Sequence, residues 1–271
     1  MSRAFVMMAA AAVMGLTTAP AMAAPLEQGR FAGSVSVGAE FPVDGDVHGG
    51  AIAPVASLAA LNPNLPAAAA ELRIGSRSFD DIYGEAAVVE LEGAYGVGGD
   101  REVFGALRYV KADEGTVQVG TAFVPALSAE LPVFGTFGDF ESTSLEAGVR
   151  QYFGAGALRP YVAGRAGVAF VEEIRASFRV PVPAGVGAEP NDIALTNVPF
   201  YGDTTTVTAG FDVGVSYDVS DRLSLIAETG LRYQGDLDGD DAAIGGLGLG
   251  SINEEGSRIA APVTVKLRYA F

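Results

Sequence analysis

What most constrains this chain is an alternation. Eight segments place apolar residues at every second position: Phe31–Phe41, Ala86–Tyr95, Val103–Val110, Ser144–Phe153, Pro160–Phe170, Val207–Tyr217, Leu223–Tyr233 and Ile259–Phe271. Period two means β-strands with two unlike faces. Along the apolar parity the segments offer 45 positions, and none is charged. Along the other they offer 40, of which 12 are charged. The acids are Glu40, Glu90, Glu92, Glu146, Asp212 and Glu228; the bases are Arg108, Arg150, Arg165, Arg232, Lys266 and Arg268. This face is neutral although the chain carries a net charge of −16. A sheet face in water has no reason to balance its charges. An enclosed one does, because an unpaired buried ion is costly.

The connections alternate too. "GVGGDRE", "GAGALR" and "DVSDR" are tight Gly, Asp and Ser turns, whereas 42–85, 111–143, 171–206 and 234–258 are long. Strands long enough to cross a tilted bilayer, joined by short turns on one side and long loops on the other, predict an all-β, transmembrane, up-and-down antiparallel barrel of eight strands. The uncharged face then meets lipid, where a mid-membrane charge costs about 2–4 kcal/mol. The even count puts both ends on the short-turn, periplasmic side and the four long loops outside. Phe31, Tyr95, Phe153, Tyr217, Tyr269 and Phe271 fall near the first side, and Phe41, Phe170 and Tyr233 near the other, as two aromatic girdles do. Hairpin registers read from the turns set Glu90 opposite Arg108 and Glu146 opposite Arg165, with Glu228 and Lys266 at similar height. "TVQVGTAF" (116–123) reads as a strand extension above the membrane, and a short helix is expected around Ala67–Leu72.

The first residues point to export. Arg3, an apolar run from Ala4 to Leu16, and Ala21-Met22-Ala23 follow the order of a secretory signal peptide, with cleavage after Ala23. The barrel domain is then 24–271. No cysteine occurs, so neither disulfides nor thiolate chemistry are available. The acidic balance excludes nucleic acid as a partner.

The last strand carries a resemblance. Val263, Val265, Leu267, Tyr269 and a terminal Phe271 resemble the sorting signal of bacterial outer-membrane β-barrels, which in that family is recognised by the barrel-assembly machinery. The segment "RPYVAGRAGVAF" (159–170) and the strand count are similar to the small OmpA/OmpX-like barrels grouped as the "porin family". The resemblance covers the mature chain and implies an outer-membrane location beside lipid and lipopolysaccharide, as a monomer. The chain departs from full-length OmpA in stopping at the barrel.

Chemistry is sparse. The single histidine, His48, lies in a Gly-, Ala- and Pro-rich loop and reads as solvated, so no enzyme is expected. No cofactor or resident metal is implied. "DLDGDD" lacks the twelfth-position Glu of a calcium loop, leaving weak cation binding at Asp236, Asp238, Asp240 and Asp241. "GGLGLG" (245–250) reads as a flexible loop tip. Two readings follow. In one the lumen is plugged by ion pairs and the acidic loops do structural or surface-interaction work, with the extracellular partner unknown. In the other, inward glycines (Gly148, Gly167, Gly210, Gly214, Gly230) leave gaps, and the barrel is a small cation-preferring passive channel.

Overall fold

The computed structural model describes residues 25–254 and 256–271. The signal segment lies outside the described residues. In chain order the first strands are β1 (Phe31–Asp44), β2 (Asp46–His48), β3 (Ala51–Val55), β4 (Ala70–Ile74) and β5 (Arg77–Ser78), followed by a one-turn helix, α1 (Phe79–Ile82). Next come β6 (Ala86–Gly98), β7 (Arg101–Ala112), β8 (Gly115–Val124), β9 (Ala129–Phe137), β10 (Phe140–Tyr152) and β11 (Leu158–Val171). The last are β12 (Ile174–Val180), β13 (Ile193–Tyr201), β14 (Thr204–Asp218), β15 (Leu223–Gln234) and β16 (Arg258–Ala270). Among the described residues no helix is long and apolar enough to cross a membrane; the chain crosses with strands.

Eight of these strands close an antiparallel barrel in the order β1-β16-β15-β14-β11-β10-β7-β6. They coincide with the eight alternating segments and extend them by up to four residues at an end. β1 and β16 form the closing seam, Val35 facing Leu267 and Val37 facing Val265, and the Phe271 amide donates to the Phe31 carbonyl at 2.9 Å. The apolar parity points outward, with Val37, Leu91, Leu107, Leu145, Phe211 and Leu231 all exposed. Phe31 packs on Tyr95 at 4.8 Å and Tyr269 on Phe271 at 5.3 Å at the short-turn rim. Phe41, Phe170 and Tyr233 stand exposed near the opposite rim.

Glu90 faces Arg108 as the turn predicts. The other hairpin differs by two residues: Glu146 faces Gly167, and Arg165 faces Gly148. Gly154 and Gly156 both adopt left-handed φ, 79° and 108°, which widens the turn so that the Phe153 amide reaches Pro160 rather than Leu158. The expected helix at Ala67–Leu72 is absent, because "AELRI" (70–74) keeps period two and forms β4, with Ala70, Leu72 and Ile74 buried. The helix lies further on, at α1, where Ser78 and Asp81 make a reciprocal capping box.

The long connections are not independent loops. β13-β12-β9-β8-β4-β3 form a second, six-stranded sheet that continues the wall above the barrel, and β8 pairs within it rather than with any barrel strand. Residues 235–254 bridge its two edges. Asp240 N–H donates to Phe200 O at 3.0 Å, Gly49 N–H donates to Ile252 O at 2.7 Å, and Gly248 abuts Ala53. "GGLGLG" therefore packs rather than flexes, with Leu249 buried. The result is two storeys, one in the membrane and one above it.

Candidate functional site

The lower interior is ionic. All twelve residues of the charged parity are buried in the lumen. So are Glu102, Arg159, Asp218 and Arg258, which the segment boundaries had left at turns or in a loop. The four additions are again two acids and two bases, so the lumen holds eight of each. The signal that could have found them is the inward parity itself, which Glu102, Arg159, Asp218 and Arg258 continue one step past the segment ends.

The pairs run across the lumen, not merely between neighbours. Arg165, on β11, lies 2.7 Å from Glu90, 2.9 Å from Asp212, 3.1 Å from Glu146 and 3.4 Å from Glu228. Arg150 makes a forked contact with Glu92, at 2.9 and 2.7 Å, while its guanidinium lies over the Phe104 and Tyr161 rings. Lys266 reaches Glu92 at 2.6 Å, Glu90 at 3.3 Å and Glu228 at 3.6 Å. Arg108, expected to answer Glu90, stands 3.7 Å from it and bonds chiefly to Glu40. Arg258 joins Glu40 at 2.8 Å, Arg232 joins Asp212 at 2.6 Å, and Arg159 and Arg268 pair with Asp218 and Glu102 towards the short-turn end.

The inward glycines do not leave gaps. An added Cβ at Gly148 would strike the Phe104 ring at 2.4 Å; at Gly214 it would strike Tyr161, and at Gly210 the Arg232 guanidinium. At Gly167 and Gly230 it would meet the carbonyls of Leu145 and Phe211. Each glycine is small because a large neighbour or a backbone crosses over it.

Both mouths are stoppered. At the short-turn rim Leu26 is buried beside Ala32, Ala94, Phe104 and Tyr152, and its amide donates to Glu102 Oε1 at 3.0 Å. At the other rim α1 sets Phe79 and Tyr83 against Phe140, at 5.8 and 6.0 Å, and Arg258 lies over the Phe140 ring at 4.1 Å. Two small, partly open recesses lie along the lumen, about 60 Å³ at the short-turn mouth beside Leu26 and about 20 Å³ among Glu40, Ser142, Arg232 and Gln234. A water needs at least about 10–15 Å³, so each recess has room for one to a few waters.

The upper interior is apolar. Inward positions of the barrel strands change character near the far rim: Glu90 gives way to Val88 and Ala86, Arg108 to Val110 and Ala112, Ser142 to Phe140. These merge with Leu72, Ile74, Val119, Val133, Phe137, Ile174 and Phe200 into one buried cluster. His48 belongs here. Far from solvated, it is 1% exposed, its Nδ1 is 2.9 Å from Gly49 O, and its ring stacks on Phe137 at 5.6 Å.

The four aspartates of "DLDGDD" do not converge. Asp240 accepts the Ala242 amide, Asp241 lies against Gly245 and Gly250, and Asp236 faces a separate open recess beside Asp44, Asp46 and Glu254. Among the described residues no group of three acidic, His or Cys side chains is placed to hold a metal.

A closed eight-stranded antiparallel barrel with an outer face uncharged across its middle and an ion-paired lumen defines the class: this is the fold of the small bacterial outer-membrane barrels. No protein-family model and no curated protein matches the sequence. Solved structures similar to it include Neisserial surface protein A, at 16% identity over 90% of this chain and 98% of that one, with a TM-score of 0.40. They also include Ail, the attachment invasion locus protein of Yersinia pestis, at 12% over 90% and 99% (TM-score 0.36), and the outer membrane protease OmpT of Escherichia coli, at 9% over 95% and 99% (TM-score 0.39). One is named for attachment and another for proteolysis, so the likeness concerns the fold and not an activity.

Proposed function

We propose that this chain is a monomeric bacterial outer-membrane barrel whose closed lumen is structural and whose extracellular storey does the work, as a surface-interaction protein. Export through a signal peptide cleaved after Ala23, and recognition of the strand ending in Val263, Val265, Leu267, Tyr269 and Phe271 by the assembly machinery, belong to the same reading. The observation that carries it is the lumen: sixteen opposed charges packed across a bore whose two mouths are stoppered by Leu26 and Phe79. Eight strands leave an interior that side chains can fill, and here they fill it. The upper storey, by contrast, is a folded domain with its polar face to solvent, next to lipid and lipopolysaccharide. The chain is assigned no catalytic role and no cofactor.

The acidic outer loops favour one alternative, a cation-preferring channel. Single-channel recording of the refolded protein in a planar bilayer, beside a Glu90→Gln variant, separates the two. The expected result is no conductance steps for the wild type at any salt concentration. Cation-selective steps that change in the variant would make the lumen the functional site and sink the structural reading.

A further inference from the structure

The stopper at the outer mouth hangs from the strand that carries the buried histidine. β2 and β5 are a two-stranded ladder in which His48 faces Arg77 and Asp46 faces Ser78. Ser78 is the N-cap of α1, and the first amide of α1, at Phe79, donates to Gly45 O at 3.1 Å. Among the described residues no other strand pairs with β5, which is only two residues long, and its one further tie to a strand is the Arg77 guanidinium donating to the Gln118 carbonyl on β8 at 2.8 and 2.6 Å. Phe79, Ile82 and Tyr83 then enter the apolar cluster over the mouth.

The His48 ring is held in a way that admits one proton but not two. Nδ1 is committed to the Gly49 carbonyl, Phe137 covers one face, and Phe200 presents its ring edge-on at 6.3 Å. Nε2 is buried with no hydrogen-bond partner. The next residue along, Val47, is fully buried and accepts from Tyr201 Oη at 2.7 Å, so the strand cannot simply slide outward. A second proton would place a cation, with one unanswered donor, inside an apolar wall.

We propose that His48 is an acid-sensitive latch: its protonation detaches the β2–β5 ladder and with it α1, opening the upper storey while the barrel below stays closed. Charged groups act on the ring from both sides of the ladder, Arg77 against the proton and Asp46 and Asp81 for it. Burial outweighs them and holds the imidazole below its ordinary value. The sign follows. With the folded value depressed, the closed form has its full stability above the ordinary histidine range, near pH 6.5, and loses it as pH falls below that. Protonation of the ion-paired carboxylates of the upper storey, such as Glu71, Glu130 and Asp192, supplies the competing explanation.

The test is hydrogen exchange on the full mature chain refolded in lipid, from pH 7.5 to 5, corrected for the intrinsic pH dependence of exchange; it needs no assumption about which side the storey faces. Amides at 46–48 and 77–83 are expected to lose protection as pH falls, while those of β7, β10 and β11 keep theirs. His48→Phe, which keeps the aromatic stack and cannot be protonated, is expected to stay protected throughout. His48→Gln serves as a second neutral variant should the first not fold. Wild-type protection that survives to pH 5, or a neutral variant that opens over the same range, overturns the latch and, in the second case, assigns the opening to the carboxylates.

Discussion

The two storeys are built from one chain and are inside-out copies of each other's chemistry. In the lower storey Leu91, Leu107 and Leu145 face outward while Glu90, Arg108 and Glu146 face in. In the upper storey Leu72, Ile74 and Val133 face in, while Glu71, Arg73 and Glu130 form ion pairs on the outside at 2.7 and 2.8 Å. Both walls are antiparallel β-strands, eight closed below and six in a separate sheet above. What changes is the solvent, and each storey turns its apolar side to whatever is not water. The hand-over falls near Arg258, whose guanidinium binds Glu40 below and covers Phe140 above.

Substitutions in the two storeys should therefore differ in size or in where the loss is felt. The largest is expected at Arg165→Met, which strips four carboxylates of their shared cation. Urea unfolding in vesicles should show a loss of about 3–5 kcal/mol, and a neutral result would mean that the lumen ions are solvated after all. Phe137→Ala, in the apolar storey, should cost about 3–5 kcal/mol locally. Hydrogen exchange should show the upper sheet loosening while the barrel amides stay protected; loss of protection in both would show the storeys to be one cooperative unit. Next comes Leu107→Arg on the lipid face, expected to destabilise the barrel by about 2–4 kcal/mol in vesicles. Its counterpart, Ile52→Arg, sits on the outer face of the upper sheet at 71% exposure. That change should stay within about 0.5 kcal/mol, and a large loss there would place Ile52 against lipid or a partner rather than water.

How much of this was legible in the sequence follows the same division. All eight barrel strands were readable, because lipid outside and confinement inside constrain both parities over ten residues or more. The lumen set was readable as far as the strand ends, where Glu102, Arg159, Asp218 and Arg258 sit beside turn residues that blur the period. The upper storey was not. β2 is three residues long and β5 two, Pro54, Pro132 and Pro199 interrupt β3, β9 and β13, and β4 keeps its period for only five residues; β8 alone is legible, as the strand "TVQVGTAF". His48 illustrates the loss: a histidine among glycines reads as solvated, and only Phe137 and Phe200, distant in sequence, bury it. The slipped β10–β11 register has a smaller cause, two left-handed glycines that a count of turn residues does not reveal.

Arg165 has one more consequence, for how such a barrel comes together. Its four carboxylates belong to β6, β10, β14 and β15, so its own strand meets partners from both halves of the chain. The closing strand β16 repeats this, Lys266 joining Glu90 and Glu92 on β6 to Glu228 on β15. A curled but open sheet would satisfy only some of these contacts and leave the rest as bare ions on a surface about to enter lipid. Each added strand brings its own backbone ladder, but the ion pairs that cross the lumen are complete only when the last strand seats. The ionic interior thus ties the seating of the last strand to the completion of ion pairs begun by the first.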